Sequence, residues 1–282
     1  MNQEIAVDEN DEVEDDTQML SFLFLFDQLP VISAALLERG LAKFCKLTQP
    51  LQVTDMHLDA QPPHATVHFD GHTLLLVAYD EPVAPEGMQN AIECSNWPQA
   101  DKQPLRTHQA HMICFYLDGS DDATGQIIAS MRLAGAFLDS GLLGYLDPAA
   151  WNCMPAPRLR EGLSAKAKKS FREHVPLGVF TGFVKLFVNE TDIWFCTKGY
   201  YRWGIPDLAF FGQLADAQEA FDMFGDLFFY SLDSDVQIIA GNTAELAGNV
   251  LLTFEALSED EAYLQTPMGT LVIKKVLRAQ MH

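Results

Sequence analysis

The chain has 282 residues, 48% of them hydrophobic and 20% charged, which is enough to bury a core without disulfides or metal. Its 39 acidic residues against 18 basic ones leave a formal charge of −21. That field opposes nucleic acid and anionic lipid, both gripped through Lys and Arg, and suits a basic protein partner or plain solubility.

Residues 1–17 carry Glu4, Asp8, Glu9, Asp11 and Glu12 with no basic residue, so they read as a disordered acidic tail and lack the basic start of a secretory signal. The apolar run from Met19 to Phe26 is too short to span a bilayer and reads as a buried strand over Leu20–Phe26. Asp27 and Pro30 then open a helix with Ile32, Leu36, Leu37, Leu41 and Phe44 on its apolar face and Glu38, Arg39, Lys43 and Lys46 opposite. His64–Phe69 and His72–Tyr79 form a hairpin around Asp70-Gly71, a pair suited to a type I′ turn. Residues 81–106, rich in Pro, Asn and Gln, read as a long irregular connection.

The alternation then returns. His111–Leu117 is a strand, and Asp121 or Asp122 caps a helix with Ile127, Ile128, Met131, Ala134 and Leu138 on its core face. Gly141 stops that helix, and Leu142–Leu146 is a strand. Pro155–Gly162 reads as a boundary between an N-terminal unit at 18–155 and a C-terminal unit at 163–282. From Ser164 a short basic helix carries Lys166, Lys168, Lys169 and Arg172. With Arg158 and Arg160 these form a basic stretch that reads as a solvated face, a phosphate patch, or a seat for the acidic tail. Strands follow at Phe183–Val188 and Ile193–Thr197. Asp216 and Glu219 are spaced as a capping box for a helix burying Ala217, Phe221, Phe224 and Phe228. Strands at Val236–Ala240 and Val250–Phe254 and a hairpin over Tyr263–Val276, turning at Thr266–Gly269, close the chain. The whole predicts an α+β fold of antiparallel or mixed sheets with helices packed on one face, in a pattern that allows two similar halves.

The most unusual segment runs from Thr197 to Leu208. Gly199 and Gly204 permit positive φ and Pro206 fixes chain direction. Between them Tyr200, Tyr201, Arg202 and Trp203 set three aromatics beside a guanidinium, a group that stacks, binds a carboxylate or anchors an interface. Tyr200, Tyr201, Arg202, Trp203 and Asp207 are therefore the candidate partner- or ligand-binding residues. The competing reading is a rigid crossover with Trp203 buried and Arg202 paired to Asp207. Thr197, Gly199, Trp203, Gly204, Pro206, Asp207 and Leu208 match a Thr-x-Gly run followed by an aromatic-Gly-x-Pro-acidic-aliphatic run. This, with Gly241-Asn242-Thr243 downstream, resembles the signature of bacterial domain-of-unknown-function family 4261. The resemblance covers roughly residues 180–276 and is weaker over 107–151. It implies an α+β bacterial protein and brings no established activity or catalytic residues.

No G-x-S-x-G, P-loop, dinucleotide fingerprint or H-E-x-x-H occurs, so the sequence names no catalytic residue and implies no cofactor. Paired across the Asp70-Gly71 turn, His64 and His68 share one strand face while His72 lies on the other, so no metal site is expected there; His108 and His111 face apart. The five cysteines, Cys45, Cys94, Cys114, Cys153 and Cys196, are odd in number and form no C-x-x-C. They argue against a disulfide framework and place the chain in a reducing cytoplasm. The leading expectation is a non-enzymatic protein-binding factor, immunity-type or regulatory. The alternative is a small-molecule-binding or hydrolytic domain with a cleft at Arg202, Trp203 and Asp207.

Overall fold

The computed structural model describes residues 19–44, 47–163, 176–234, 236–246 and 250–277; the acidic tail, Cys45, Lys46 and the basic run from Ser164 lie outside them. Two sheets organise the chain. The first is antiparallel, built from β1 (Ser21–Phe26), β2 (Gln52–His57), β3 (His64–Phe69), β4 (His72–Tyr79), β5 (Ala110–Asp118), β6 (Leu142–Asp147) and β7 (Asn152–Pro155), in the order β2-β3-β4-β5-β1-β6-β7. The second holds β8 (Gly182–Phe187), β9 (Asp192–Lys198), β10 (Asp207–Gln213), β11 (Thr243–Leu246), β12 (Val250–Ala256) and β13 (Thr270–Leu277), in the order β11-β12-β13-β10-β9-β8. It is mixed, because β10 runs parallel to β13 while its other pairings are antiparallel. The fold is α+β.

Strand β1 shows why its sequence is apolar at nearly every position. It lies between β5 and β6, and both faces are covered. Phe22, Phe24 and Phe26 enter one core cluster and Leu23 and Leu25 the other. Helices α1 (Ala34–Phe44) and α4 (Ala123–Gly135) cover the phenylalanine face, and Gly40 admits the backbone of Ala136, which a Cβ there would strike. Asp122 caps α4, accepting from the amides of Thr124 (3.2 Å) and Gly125 (2.9 Å). In the second sheet, Phe183, Phe195 and Phe210 face a long helix whose Phe224 and Phe228 are buried against them.

Several expectations are corrected. Residues 81–106 are not irregular: they form α2 (Pro85–Cys94) and α3 (Gln99–Arg106), which cover the Leu23 and Leu25 face. Pro85 occupies the first turn of α2, where its missing N–H costs nothing. The buried Lys102 ammonium donates to the carbonyls of Glu93 (3.1 Å) and Ser95 (3.0 Å) at its C-terminal end. Helix α1 starts at Ala34 rather than after Pro30, because the Ser33 hydroxyl takes the Leu36 amide at 3.2 Å. Beyond β7 come the short helices α5 (Ala156–Gly162) and α6 (Leu177–Phe180), and then the long helix α7 (Ala217–Ser234). Asp216 does not box with Glu219. Its carboxylate turns back to the Gln213 amide at 2.8 Å and closes a 3-10 turn before α7. Val236–Ala240 forms no strand. No closing hairpin forms either: Ser258 and Glu261 cap each other and wind Glu259–Leu264 into a 3-10 turn, after which β13 inserts between β12 and β10.

Candidate functional site at the joint between the sheets

The Thr197–Leu208 segment links β9 to β10. Gly199 (φ +100°) and Gly204 (φ +72°) are both left-handed and bracket a 3-10 turn over Tyr200–Trp203. Asp207 holds this turn from below. Fully buried, it accepts from the Thr197 hydroxyl (2.8 Å) and from the amides of Tyr200 (3.1 Å) and Gly199 (3.4 Å). The Thr197 oxygen in turn accepts from the Leu208 amide at 2.8 Å. Burial pushes the Asp207 carboxyl above its ordinary value, with these donors and the Lys198 charge opposing the rise.

Arg202 therefore does not pair with Asp207. Its guanidinium crosses to the first sheet and grips Asp147, the last residue of β6, through Nη1 to Oδ2 at 2.5 Å and Nη2 to Oδ1 at 2.6 Å. The side chains are 2% and 5% exposed, so this is a buried bidentate pair. Burial by itself disfavours the arginine's charge, but the Asp147 carboxylate more than offsets it and holds Arg202 above its ordinary value. The guanidinium also lies 5.8 Å from the ring centroids of Phe22 and Tyr201. Its Nε–H is buried and meets no acceptor among the described residues. An unmet donor of this kind costs about 1–3 kcal/mol.

The neighbouring aromatics divide between structure and surface. Tyr200 is buried; its hydroxyl donates to the Phe224 carbonyl at 3.2 Å and its ring meets Phe228 edge-on. Trp203 is half-buried and packs against the cores of both sheets, donating from Nε1 to the Thr124 hydroxyl on α4 at 3.2 Å. Tyr201 is half-buried in the wall of a cleft. The joint continues below the loop. Asn152 on β7 donates to the carbonyls of Val179 (3.1 Å) and Thr181 (3.0 Å), and Gly182 and Gly199 both lie close against Ala150. Asp147 and Asn152 carried no signal in the sequence: Asp147 lies 55 positions from Arg202, with nothing local to mark the partnership.

The cleft beside the loop has a volume of about 1110 Å³. It is lined by the apolar Leu20, Leu117, Ala123 and Met268 and by the exposed Asp118 and Asp121. Among the described residues Arg202 is the only basic one lining it, and its side chain is already neutralised by Asp147. Burial raises the Tyr116 hydroxyl, and the nearby Asp118 and Asp121 charges push it the same way. Gly119, at φ +124°, packs on the backbone of Gly71 and fixes the rim against the β3–β4 turn. Asp207, by contrast, is outside the cleft, and the five candidate residues do not converge on one cavity.

Among the described residues, Cys114, Cys153 and Cys196 are buried, and the His68 and His72 imidazoles are taken up by hydrogen bonds. Burial pushes Cys153 up to about 11 and Cys196 up to about 12, and also raises Cys114 and the half-buried Cys94. The hairpin has the register the turn implies, with Phe69 opposite His72 and His68 opposite Thr73. His72 contacts the Tyr116 hydroxyl at 2.8 Å, while His68 lies between Thr54 and Thr73. Among the described residues no group of three or more His, Cys, Asp or Glu side chains is placed to hold a metal ion, and no helix is long and apolar enough to cross a membrane. Compared with protein-family models, curated proteins and solved structures, the chain matches none.

Proposed function

We propose that this chain is a non-enzymatic binding protein, a regulatory or immunity-type factor that engages a basic protein partner in the cytoplasm. The observation that supports this most is the cleft beside the Tyr-Arg-Trp turn, which brings apolar side chains together with Asp118 and Asp121 and, among the described residues, has no unneutralised base. A net charge of −21 extends the same attraction over long range. The alternative, a small-molecule or hydrolytic site built from Arg202, Trp203 and Asp207, lacks this support: the first is spent on Asp147, the second on Thr124, and the third on the loop's own amides. Membership of family 4261 is likewise a proposal, carried by the Thr197–Leu208 run.

The test is capture from lysate of the native host on immobilised chain, wild type against Asp118→Asn/Asp121→Asn. The expected result is retention of a basic protein at about 0.15 M salt that the neutralised variant loses. Retention of no protein at that salt would defeat the reading.

A further inference from the structure

We infer that His57 and His64 form a two-imidazole site for a divalent transition-metal ion of the zinc and copper class, at the open end of the β2–β3 hairpin. This goes beyond the binding-protein reading and does not depend on it.

The two residues stand directly opposite each other in the antiparallel β2–β3 ladder, so their side chains leave the sheet on the same face. Ala65, Val67 and Phe69 of β3 enter the core, which sends His64 to the opposite, outer face. One extra residue in β2 between Thr54 and His57 sets His57, instead of Met56, across from His64. Because β2 is an edge strand, this end of the ladder is open on one side, and His57 is exposed there.

The ring centroids lie 4.9 Å apart with the planes inclined at 43°. With about 2.1 Å from metal to nitrogen and about 1.1 Å from nitrogen to ring centre, that separation subtends about 100° at a shared ion. The angle falls between the roughly 90° of neighbouring ligands in a square-planar ion and the roughly 109° of a tetrahedral one.

The ligating tautomer of His64 is also set. The Pro62 carbonyl lies 3.1 Å from Nδ1 and can only accept, so Nδ1 carries the hydrogen and Nε2 keeps its lone pair. A metal-binding histidine is commonly oriented in this way, its second nitrogen donating to a main-chain carbonyl. The His57 ring makes no hydrogen bond among the described residues. Other histidines are spent elsewhere: His68 is held at both nitrogens by Thr54 and Thr73, and His108 by the Val83 amide and the Leu105 carbonyl. Imidazole selects late divalent transition metals over magnesium or calcium, and the charge of −21 draws cations to the chain. Water fills the ion's remaining positions.

The probe is zinc ion, titrated by calorimetry into the full chain in a non-coordinating buffer, with magnesium ion as comparator. Ring nitrogens are followed by long-range nitrogen–proton NMR. The expected result is a saturable zinc site weakened about tenfold or more in His57→Gln and to the same degree in His64→Gln. The double variant should bind no more weakly than either single one, because losing one imidazole already ends chelation. Zinc should shift the His57 ring and Nε2 of His64, and magnesium neither. His57→Gln changes an exposed side chain with no hydrogen bond, so it keeps the hairpin, which an unchanged amide spectrum checks, and it decides the matter even if His64→Gln disturbs the turn. Zinc affinity unchanged in His57→Gln overturns the inference, as does a zinc-induced shift confined to one of the two rings. An equal response to magnesium overturns the metal class.

Discussion

Replacing Arg202 by Met and Asp147 by Asn, singly and together, probes whether the aromatic-cationic turn is the clamp between the sheets. Each substitution preserves shape. Met keeps aliphatic volume beside Phe22 and Tyr201, and Asp147→Asn keeps a side-chain oxygen for the Ala150 amide, now 3.2 Å from Asp147 Oδ1. What each single change removes is one charge of a pair whose side chains are 2% and 5% exposed. An exposed ion pair is worth about 0–1 kcal/mol, whereas stranding one member of a buried pair costs about 3–5 kcal/mol. Each single variant should therefore lose about 3–5 kcal/mol in urea unfolding followed by circular dichroism and tryptophan fluorescence. The double variant leaves no stranded charge and should cost no more than either single one. The two probes should separate only in the singles, where a weakened joint lets the sheets unfold at different urea concentrations. Single losses below about 1 kcal/mol, or a double loss equal to their sum, would refute the clamp.

Three further outcomes follow from the same geometry. Asp207 is raised above its ordinary 3.8 by burial, so its contribution to stability is fully present below about pH 4 and is lost as pH rises through the folded value. Asp207→Asn should flatten that decline in urea unfolding between pH 4 and 8, and parallel profiles for variant and wild type would contradict it. Gly199→Ala should cost about 1–2 kcal/mol in backbone strain at φ +100° and more than Gly141→Ala at φ +89°, because only at Gly199 does the new Cβ fall 3.2 Å from Ala150 Cβ; equal losses would remove the close approach as a cause. Cys114, Cys153 and Cys196 should resist alkylation at pH 8 in the native chain and react in denaturant, read by mass spectrometry, and native labelling at any of the three would show that burial does not hold its thiol protonated.

Much of the fold is legible where local chemistry and tertiary demand agree. The Asp70-Gly71 pair gives the hairpin register, Asp122 gives the start of α4, and the unbroken apolar run of β1 signals a strand covered on both faces. The failures have local causes. Pro and Asn in 81–106 suggest a loop, yet Pro85 sits where a helix tolerates it and Lys102 caps the end of α2 from another helix. Val236–Ala240 has strand composition but no neighbouring strand to pair with, so only Ile238 is buried there. The candidate site is legible in part: Tyr200, Tyr201, Arg202, Trp203 and Asp207 stand out by residue type, and the left-handed glycines are implied by the turn. Their separate destinations are not, since Tyr200 goes to a core, Trp203 to α4, Asp207 to its own loop and Tyr201 to the cleft.

The sequence by itself determined the α+β class, the acidic field, most strand positions, the helices α1, α4 and α7, and the unusual turn, because periodicity, capping and turn chemistry act over a few residues. Only the tertiary structure decided that Arg202 meets Asp147 rather than Asp207, and that Asp118, Asp121, Met268 and Tyr201 border one cleft. Those partnerships join segments far apart in the chain, and the pairing of a buried charge is chosen by which carboxylate the packed sheets bring within reach, a choice no local pattern encodes.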